Sequence, residues 1–331
     1  MSEINTIKRG KNKVERNWLF TVIFIVLVLY IVVLAIPFLW ALLNAFKTPD
    51  EFHGTFLIKK NPLGWPKKGF TFDNFKYLFN DEVFFGTNRG LMNNLEHPDE
   101  LSGRIGIIGR MGSDGMYHPG LLTNSILYAV GCAIAATLTP CFTAYAVAKF
   151  DFKFSKVIYT IVIVVMALPI VGSLPSEIKV ATDLGIIDTM LGMWIMKANF
   201  LGLYFLVFHA QFKSISNTYS EAARVDGASN FRIMFQIILP FAFGTMITVF
   251  LLTFIMFWND YQTPMNYLHN NPVLAQGMIN FYRSTSNEFK VVQKTPVKLA
   301  VILLAASPII LLALLSSKKL TQNLSVGGVK E

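Results

Sequence analysis

Chemistry that makes or breaks a bond needs particular side chains at particular spacings, and this sequence offers few of them. No Gly-x-x-x-x-Gly-Lys-Ser/Thr stretch occurs, so the chain has no loop of the kind that cradles nucleotide phosphates. Asp183 and Asp188 are the one close carboxylate pair near a membrane face, and they read as loop residues. His53, His97, His118, His209 and His269 are scattered and make no ligand pattern. Cys132 and Cys141 lie in one apolar run, about 13 Å apart on a helix at ~1.5 Å per residue. A disulfide needs Cα atoms within about 7 Å, so both read as free packing residues. The chain itself is expected to hydrolyse nothing and to hold no metal.

One segment does carry a pattern. It runs Glu221-Ala222-Ala223-Arg224-Val225-Asp226-Gly227-Ala228-Ser229-Asn230-Phe231-Arg232 and continues Ile233-Met234-Phe235-Gln236-Ile237-Ile238-Leu239-Pro240. The residue types predict helix, turn, helix. Ser216 or Ser220 can cap a first short helix, Gly227 tolerates the positive φ of a bend, and Ser229 can cap the second helix. Val225, Ala228, Phe231 and Met234 are expected on one side of the hairpin. An apolar face on a polar link calls for a protein partner. Asp226 reads as a cap or a solvated carboxylate.

The elements around this link are apolar. Of 331 residues, 53% are hydrophobic and 15% charged; soluble chains average roughly 25% charged. A bilayer crossing takes about 20 apolar residues. Six runs qualify: Trp18–Phe46, Leu121–Ala148, Val157–Val171, Met190–Phe212, Ile237–Trp258 and Val297–Leu315. The first is too long for the apolar part of a cleaved leader, so it reads as a retained helix. Pro37 would kink it. Lys197 is unwelcome at mid-bilayer and is expected at the interface. The reading is therefore an all-α membrane protein with six transmembrane helices, not a soluble domain. The net charge of +9 fits cytoplasmic loops rather than nucleic acid, because no basic stripe with interleaved aromatics occurs.

Six crossings put both termini on one side. Segments 1–16, 149–156, 213–236 and 318–331 hold 14 Lys and Arg in 62 positions, against 13 in 128 for 47–119, 173–189 and 259–296. The denser side is the cytoplasmic one. The organisation expected is a cytoplasmic tail (1–17), a first membrane helix (18–46), an extracytoplasmic loop (47–119), a five-helix core (120–317) with the hairpin 213–236, and a cytoplasmic tail (318–331). The loop should hold a short helix near Asn74–Phe79.

The hairpin resembles the coupling motif of permeases of ATP-binding-cassette (ABC) importers: Glu-Ala-Ala, three residues, Gly, nine residues, Ile, one residue, Leu-Pro. Glu221, Ala222, Ala223, Gly227, Ile237, Leu239 and Pro240 match every fixed position. Asn124-Ser125 and Thr143 to Phe150 resemble parts of the same domain. Pro37-Phe38-Leu39-Trp40 with Lys47 resembles the first span of sugar-importer permeases, and Phe257 to Tyr261 the end of their fifth. Leu324 to Lys330 is similar to the tail of the maltose-type second permease. The stretch 85–119 matches nothing in that family and reads as an insertion.

The resemblance implies a type I importer permease bundle in the cell membrane, passing a sugar or oligosaccharide. Its partners would be a second permease, an ATPase dimer and an extracytoplasmic binding protein; ATP and Mg would be bound by the ATPase and no cofactor by this chain. Glu221 would meet a basic group of the ATPase, and Gly327, Gly328 and Lys330 would reach between the ATPase subunits. Candidates for the solute path are Asn124, Tyr145, Trp258, Asn259, Asp260 and Tyr261, because sugars are held by aromatic stacking and hydroxyl hydrogen bonds. A permease for another solute, such as an amino acid or phosphate, fits the coupling motif equally. A secondary transporter fits less well, lacking repeats and mid-span charges.

Overall fold

A computed structural model describes residues 18–55, 58–76, 92–93, 104–105, 109–111, 117–168, 172–283 and 294–324. Helix α1 (Trp18–Ala45) is apolar on every side and its flanks are exposed, as suits a helix bathed in lipid. Two short helices follow, α2 (Pro49–His53) and α3 (Asp73–Lys76). The stretch expected as an insertion contributes the only strands among the described residues. These are two antiparallel pairs, β1 (Met92–Asn93) with β2 (Arg104–Ile105) and β3 (Gly109–Met111) with β4 (Tyr117–Pro119). Apart from these two ribbons, the regular elements among the described residues are all helical.

The core is organised by α4 (Leu121–Lys149). It packs along its length against α8 (Leu203–Ser214) and α11 (Leu239–Trp258). Helix α5 (Ser155–Ala167) is only 13 residues long, shorter than the third expected crossing. Beyond it lie α6 (Leu174–Asp183) and α7 (Met190–Lys197). The fourth expected crossing is not continuous: α7 ends at Lys197 and α8 begins at Leu203. The break has a local cause, since the Asn199 side chain accepts the Leu201 amide at 2.8 Å and competes with helical pairing. The linking hairpin consists of α9 (Thr218–Val225) and α10 (Asn230–Arg232), followed by a π-helical turn Ile233–Ile238 that runs into α11. Short helices α12 (Gln262–Tyr267) and α13 (Leu274–Arg283) precede α14 (Thr295–Leu324), which packs on α1.

Four helical stretches among the described residues are long and apolar enough to cross a bilayer: Phe20–Ala45, Leu121–Lys149, Asn230–Trp258 and Thr295–Leu312. They correspond to the first, second, fifth and sixth expected crossings.

Two apolar clusters divide the bundle. One gathers Tyr128, Cys132, Phe254, Phe257, Trp258, Leu268 and Ala300 around the start of α4. The other gathers Cys141, Tyr145, Phe205, Phe208, Phe212, Ala223, Ile238 and Leu239 around its end. Both cysteines are buried and free.

The loop after α1 is tied down by buried polar groups. Lys47 is fully buried and its Nζ donates to the Asn61 carbonyl at 2.9 Å. Glu51 Oε1 accepts from the Lys67 amide at 2.7 Å and from Asn61 Nδ2 at 3.0 Å. Asn74 Nδ2 donates to the Ala45 and Lys47 carbonyls at 2.6 and 2.7 Å, capping the end of α1. Burial pushes the Glu51 carboxyl up, but the donors from Lys67, Asn61 and Lys68 and the Lys47 charge hold it below its ordinary value. Burial lowers Lys47, and Glu51 offsets part of that.

Candidate functional site

The hairpin is built by local backbone chemistry. Helix α9 ends in a paired motif: the Ala228 amide donates to the Ala223 carbonyl at 2.9 Å and the Gly227 amide to the Arg224 carbonyl at 3.0 Å. That pattern needs a left-handed residue between helix and turn. Gly227 supplies it at φ +78°, with open space where a Cβ would stand. Ser229 then caps α10, its Oγ accepting the Arg232 amide at 3.3 Å. The capping expectation at the first helix is corrected. Asn217 holds the N-cap position, Ser220 lies inside α9, and Ser216 Oγ accepts the Thr218 amide at 3.2 Å.

The π-turn before α11 has a stated cause. Pro240 lacks an amide hydrogen and its ring crowds the carbonyl four residues back. The helix widens there by one residue, with the Leu239 amide donating to the Met234 carbonyl.

The motif residues divide into two sets. Ala223 and Leu239 are buried in the second apolar cluster and Ile237 packs against it. Glu221, Ala222, Asp226 and Gly227 are exposed. So are Val225 at 89% and Phe231 at 74%, an apolar pair at the tip. The expected single apolar face is therefore split, because Ala228 and Met234 turn inward onto the cluster. Pro240 faces a cavity of about 600 Å³ shared with Phe142, Phe235 and Phe243.

Two side chains of α4 fasten the hairpin to it. Lys149 Nζ donates to the Ile215 carbonyl at 2.5 Å and to Asn217 Oδ1 at 3.0 Å. Phe142 meets Phe235 edge-on at 6.1 Å between centroids. Sequence reasoning did not single out Lys149. The signal available was a cation on the last turn of a helix, where it also meets the negative end of the helix dipole.

The candidate path residues fall at opposite ends of α4. Tyr145 sits at the hairpin end, buried and edge-on to Phe150 at 5.7 Å and Phe212 at 5.6 Å. Along the helix that is about 26 Å from Tyr128, at ~1.5 Å per residue. At the other end, Tyr128 is fully buried and its hydroxyl donates to Asp260 Oδ2 at 2.9 Å. Asp260 Oδ1 accepts the Thr263 amide at 3.1 Å, capping the turn after α11. Trp258, Asn259 and Tyr261 line one cavity of about 250 Å³ with residues of α13 and α14. Trp258 Nε1 donates to the Ala305 carbonyl at 3.2 Å.

Asn124 lies near that end but is buried, its Nδ2 donating to the Pro272 carbonyl at 3.0 Å. Its neighbour Ser125 accepts the Leu274 amide at 2.6 Å. Both therefore hold the loop before α13. Lys197 ends α7 half-buried, its ammonium 5.7 Å from the Phe257 ring centroid. Helix α7 packs closely on α4, where Gly131 leaves room for the Trp194 indole, which donates to the Leu127 carbonyl at 3.1 Å. The tail candidates Gly327, Gly328 and Lys330 lie outside the described residues.

This architecture, with four helical stretches among the described residues long and apolar enough to cross a bilayer, is that of an integral membrane protein. Residues 105–325 match the family described as "Binding-protein-dependent transport system inner membrane component", and the chain belongs to that family of ABC importer permeases. The family implies a partner permease, an ATPase and a substrate-binding protein. Among its relatives is the melibiose/raffinose/stachyose import permease protein MelC of Bacillus subtilis, 28% identical over 56% of this chain and 67% of that protein. The diacetylchitobiose uptake system permease protein NgcG of Streptomyces coelicolor is 24% identical over 78% of this chain and 73% of its own length. The sn-glycerol-3-phosphate permease protein UgpE of Agrobacterium fabrum is 32% identical over 44% of this chain and 51% of that one. In fold, the chain is similar to a subunit in the crystal structure of a bacterial ABC transporter involved in import of the acidic polysaccharide alginate. The TM-score is 0.69, covering 92% of this chain and 97% of that one at 20% identity.

Proposed function

We propose that this subunit forms half of the path for a sugar or oligosaccharide and couples it to ATP hydrolysis through the 213–236 hairpin. The observation that carries the coupling role is the split of the motif. Ala223 and Leu239 are buried and anchor the hairpin, while Glu221, Ala222, Val225, Asp226 and Phe231 are left outward for a partner. Exposed apolar side chains beside a carboxylate suit a docking cleft with an apolar floor and a basic rim. ATP and Mg belong to that partner, and this chain binds no cofactor. The second permease is a different chain, making a heterodimer. The tail residues Gly327, Gly328 and Lys330 reach the ATPase interface.

The sugar reading is supported by the solutes named for MelC and NgcG. Within this chain, Tyr261, Asn259 and Trp258 at the end of α11 are assigned to the path, because they combine aromatic faces and hydrogen-bonding groups at one cavity; Asp260 beside them is assigned to it as the acceptor that holds Tyr128 and the turn in place. Asn124 and Tyr145 serve packing instead. A phosphorylated small solute is the second reading, favoured by the relative UgpE. Helix α5 and the broken pair α7–α8 complete six crossings, with both termini and the hairpin cytoplasmic.

Reconstitution with the neighbouring permease, ATPase and binding protein tests the class and the solute together. Uptake of a labelled oligosaccharide that needs ATP is expected; uptake of sn-glycerol 3-phosphate alone would overturn the sugar reading. For topology, Lys213→Cys lies on an exposed position at the start of the hairpin segment, and the native thiols are buried. Membrane-impermeant maleimide should leave it unlabelled in intact cells, and rapid external labelling would invert the orientation.

A further inference from the structure

Beside the C-terminal end of α1 the structure holds an apolar groove of about 830 Å³. Leu39 and Leu42, with Phe46 just past the end of α1, form its helix wall, and Leu63, Trp65 and Phe70 its loop wall. The loop wall is firmly attached. Trp40 Nε1 donates to the Pro62 carbonyl at 2.9 Å, and the Phe46 ring meets Phe70 edge-on at 6.0 Å. Yet Leu63 is 82% exposed and Trp65 69%. An open apolar patch of this size on an otherwise polar loop needs something to cover it.

Position and charge say what covers it. Helix α1 has 28 residues, about 42 Å at ~1.5 Å per residue, close to the ~40–45 Å of a bilayer with its headgroups. Its last two turns, which form the groove, therefore stand where acyl chains meet headgroups. Trp40 and Trp65 are the side chains that favour that level. Below them the exposed apolar flank of α1 is continuous with the groove, so a lipid tail can enter without crossing water. Lys67 and Lys68 lie in sequence between Trp65 and Phe70 of the loop wall, both exposed, and neither makes an ion pair among the described residues. A neighbouring apolar protein surface would have no use for two exposed cations unpaired among the described residues, whereas a phosphate diester would.

We infer that this groove is a binding site for an anionic phospholipid, with one acyl chain against Trp65 and Phe46 and the phosphate at Lys67 and Lys68. The inference requires only that the chain sits in a membrane and is independent of the solute it carries.

The test uses the assembled transporter in nanodiscs containing lipids brominated on the acyl chain, either phosphatidylglycerol or phosphatidylcholine at equal mole fraction. The chain has five tryptophans, so the Trp65 signal is taken as the difference between wild type and Trp65→Phe. Bromine quenches a tryptophan it touches. The expected result is quenching of Trp65 at least about twofold stronger with phosphatidylglycerol, since each lysine near a charged surface favours the anion. In a Lys67→Gln, Lys68→Gln double variant the quenching should persist but the preference should fall to about one. Absence of quenching by either lipid would mean that protein covers the groove and would overturn the site. Equal quenching by both in wild type, or a preference unchanged in the double variant, would overturn the anionic headgroup.

Discussion

The two ends of α4 solve different problems in different ways. At its C-terminal end the hairpin takes its shape from neighbours in sequence. Gly227 makes the bend, Ser229 caps the next helix, and Pro240 forces the π-turn, all within 14 residues. At its N-terminal end the geometry is made by partners far apart in the chain: Tyr128 with Asp260, Asn124 with Pro272, Ser125 with Leu274. A motif can therefore be recognised at the first end, whereas the second exists only once the chain has folded. The distributed end must hold its shape through the packing of several helices.

The largest effect that separates the two ends is expected from Gly227→Pro. The native φ is +78°, while proline holds φ near about −65° and has no amide to give to Arg224. Uptake in vesicles should fall to background while membrane insertion is unchanged, since Gly227 lies outside the long apolar helices. Wild-type uptake by this variant would break the hairpin account.

Tyr128→Phe probes the distributed end. It removes the hydroxyl that donates to Asp260, a hydrogen bond to a charged group worth about 1.5–3 kcal/mol. Thermal stability in detergent should drop accordingly, and a double-mutant cycle with Asp260→Asn should give a coupling of at least about 1 kcal/mol. Additive effects would mean that the pair contributes nothing as a pair.

Lys149 joins the two ends, because it belongs to the helix that carries Tyr128 and grips the start of α9. Lys149→Met is expected to lower solute transported per ATP hydrolysed several-fold with assembly intact, at a cost in hydrogen bonding of roughly 1.5–3 kcal/mol. Lys149→Arg should restore most of it. An unchanged transport-to-hydrolysis ratio in the Met variant would make the contact mere packing.

The smallest effect is a pH dependence at the loop after α1. His53 Nε2 accepts the Thr295 amide at 3.3 Å, and burial with the charges of Lys60 and Lys294 lowers its pKa below the ordinary 6.5. The folded state thus resists protonation that the unfolded chain accepts. Its contribution is complete above pH 6.5 and is lost as pH falls from there through the lower folded value. Melting temperatures at pH 7.5 and 5.5 should differ slightly less in His53→Gln than in wild type; an identical difference would exclude the histidine.

Much of this protein follows from the order of its residues alone. Uninterrupted apolar runs of sufficient length demand burial in lipid, and they mark α1, α4, α11 and α14 wherever else the chain goes. The hairpin was legible for a related reason: a left-handed glycine, a serine cap and a proline act on the backbone within one or two turns. The fourth apolar run is the instructive exception, for its hydrophobicity suggested one helix while Asn199 and the packing of Trp194 at Gly131 divide it into two. Periodicity cannot register a side chain that competes for a backbone amide. Nor could it pair Tyr128 with Asp260 or Lys149 with Asn217, 132 and 68 positions apart. Those contacts depend on which helix faces give way to one another, and that is decided by packing in three dimensions.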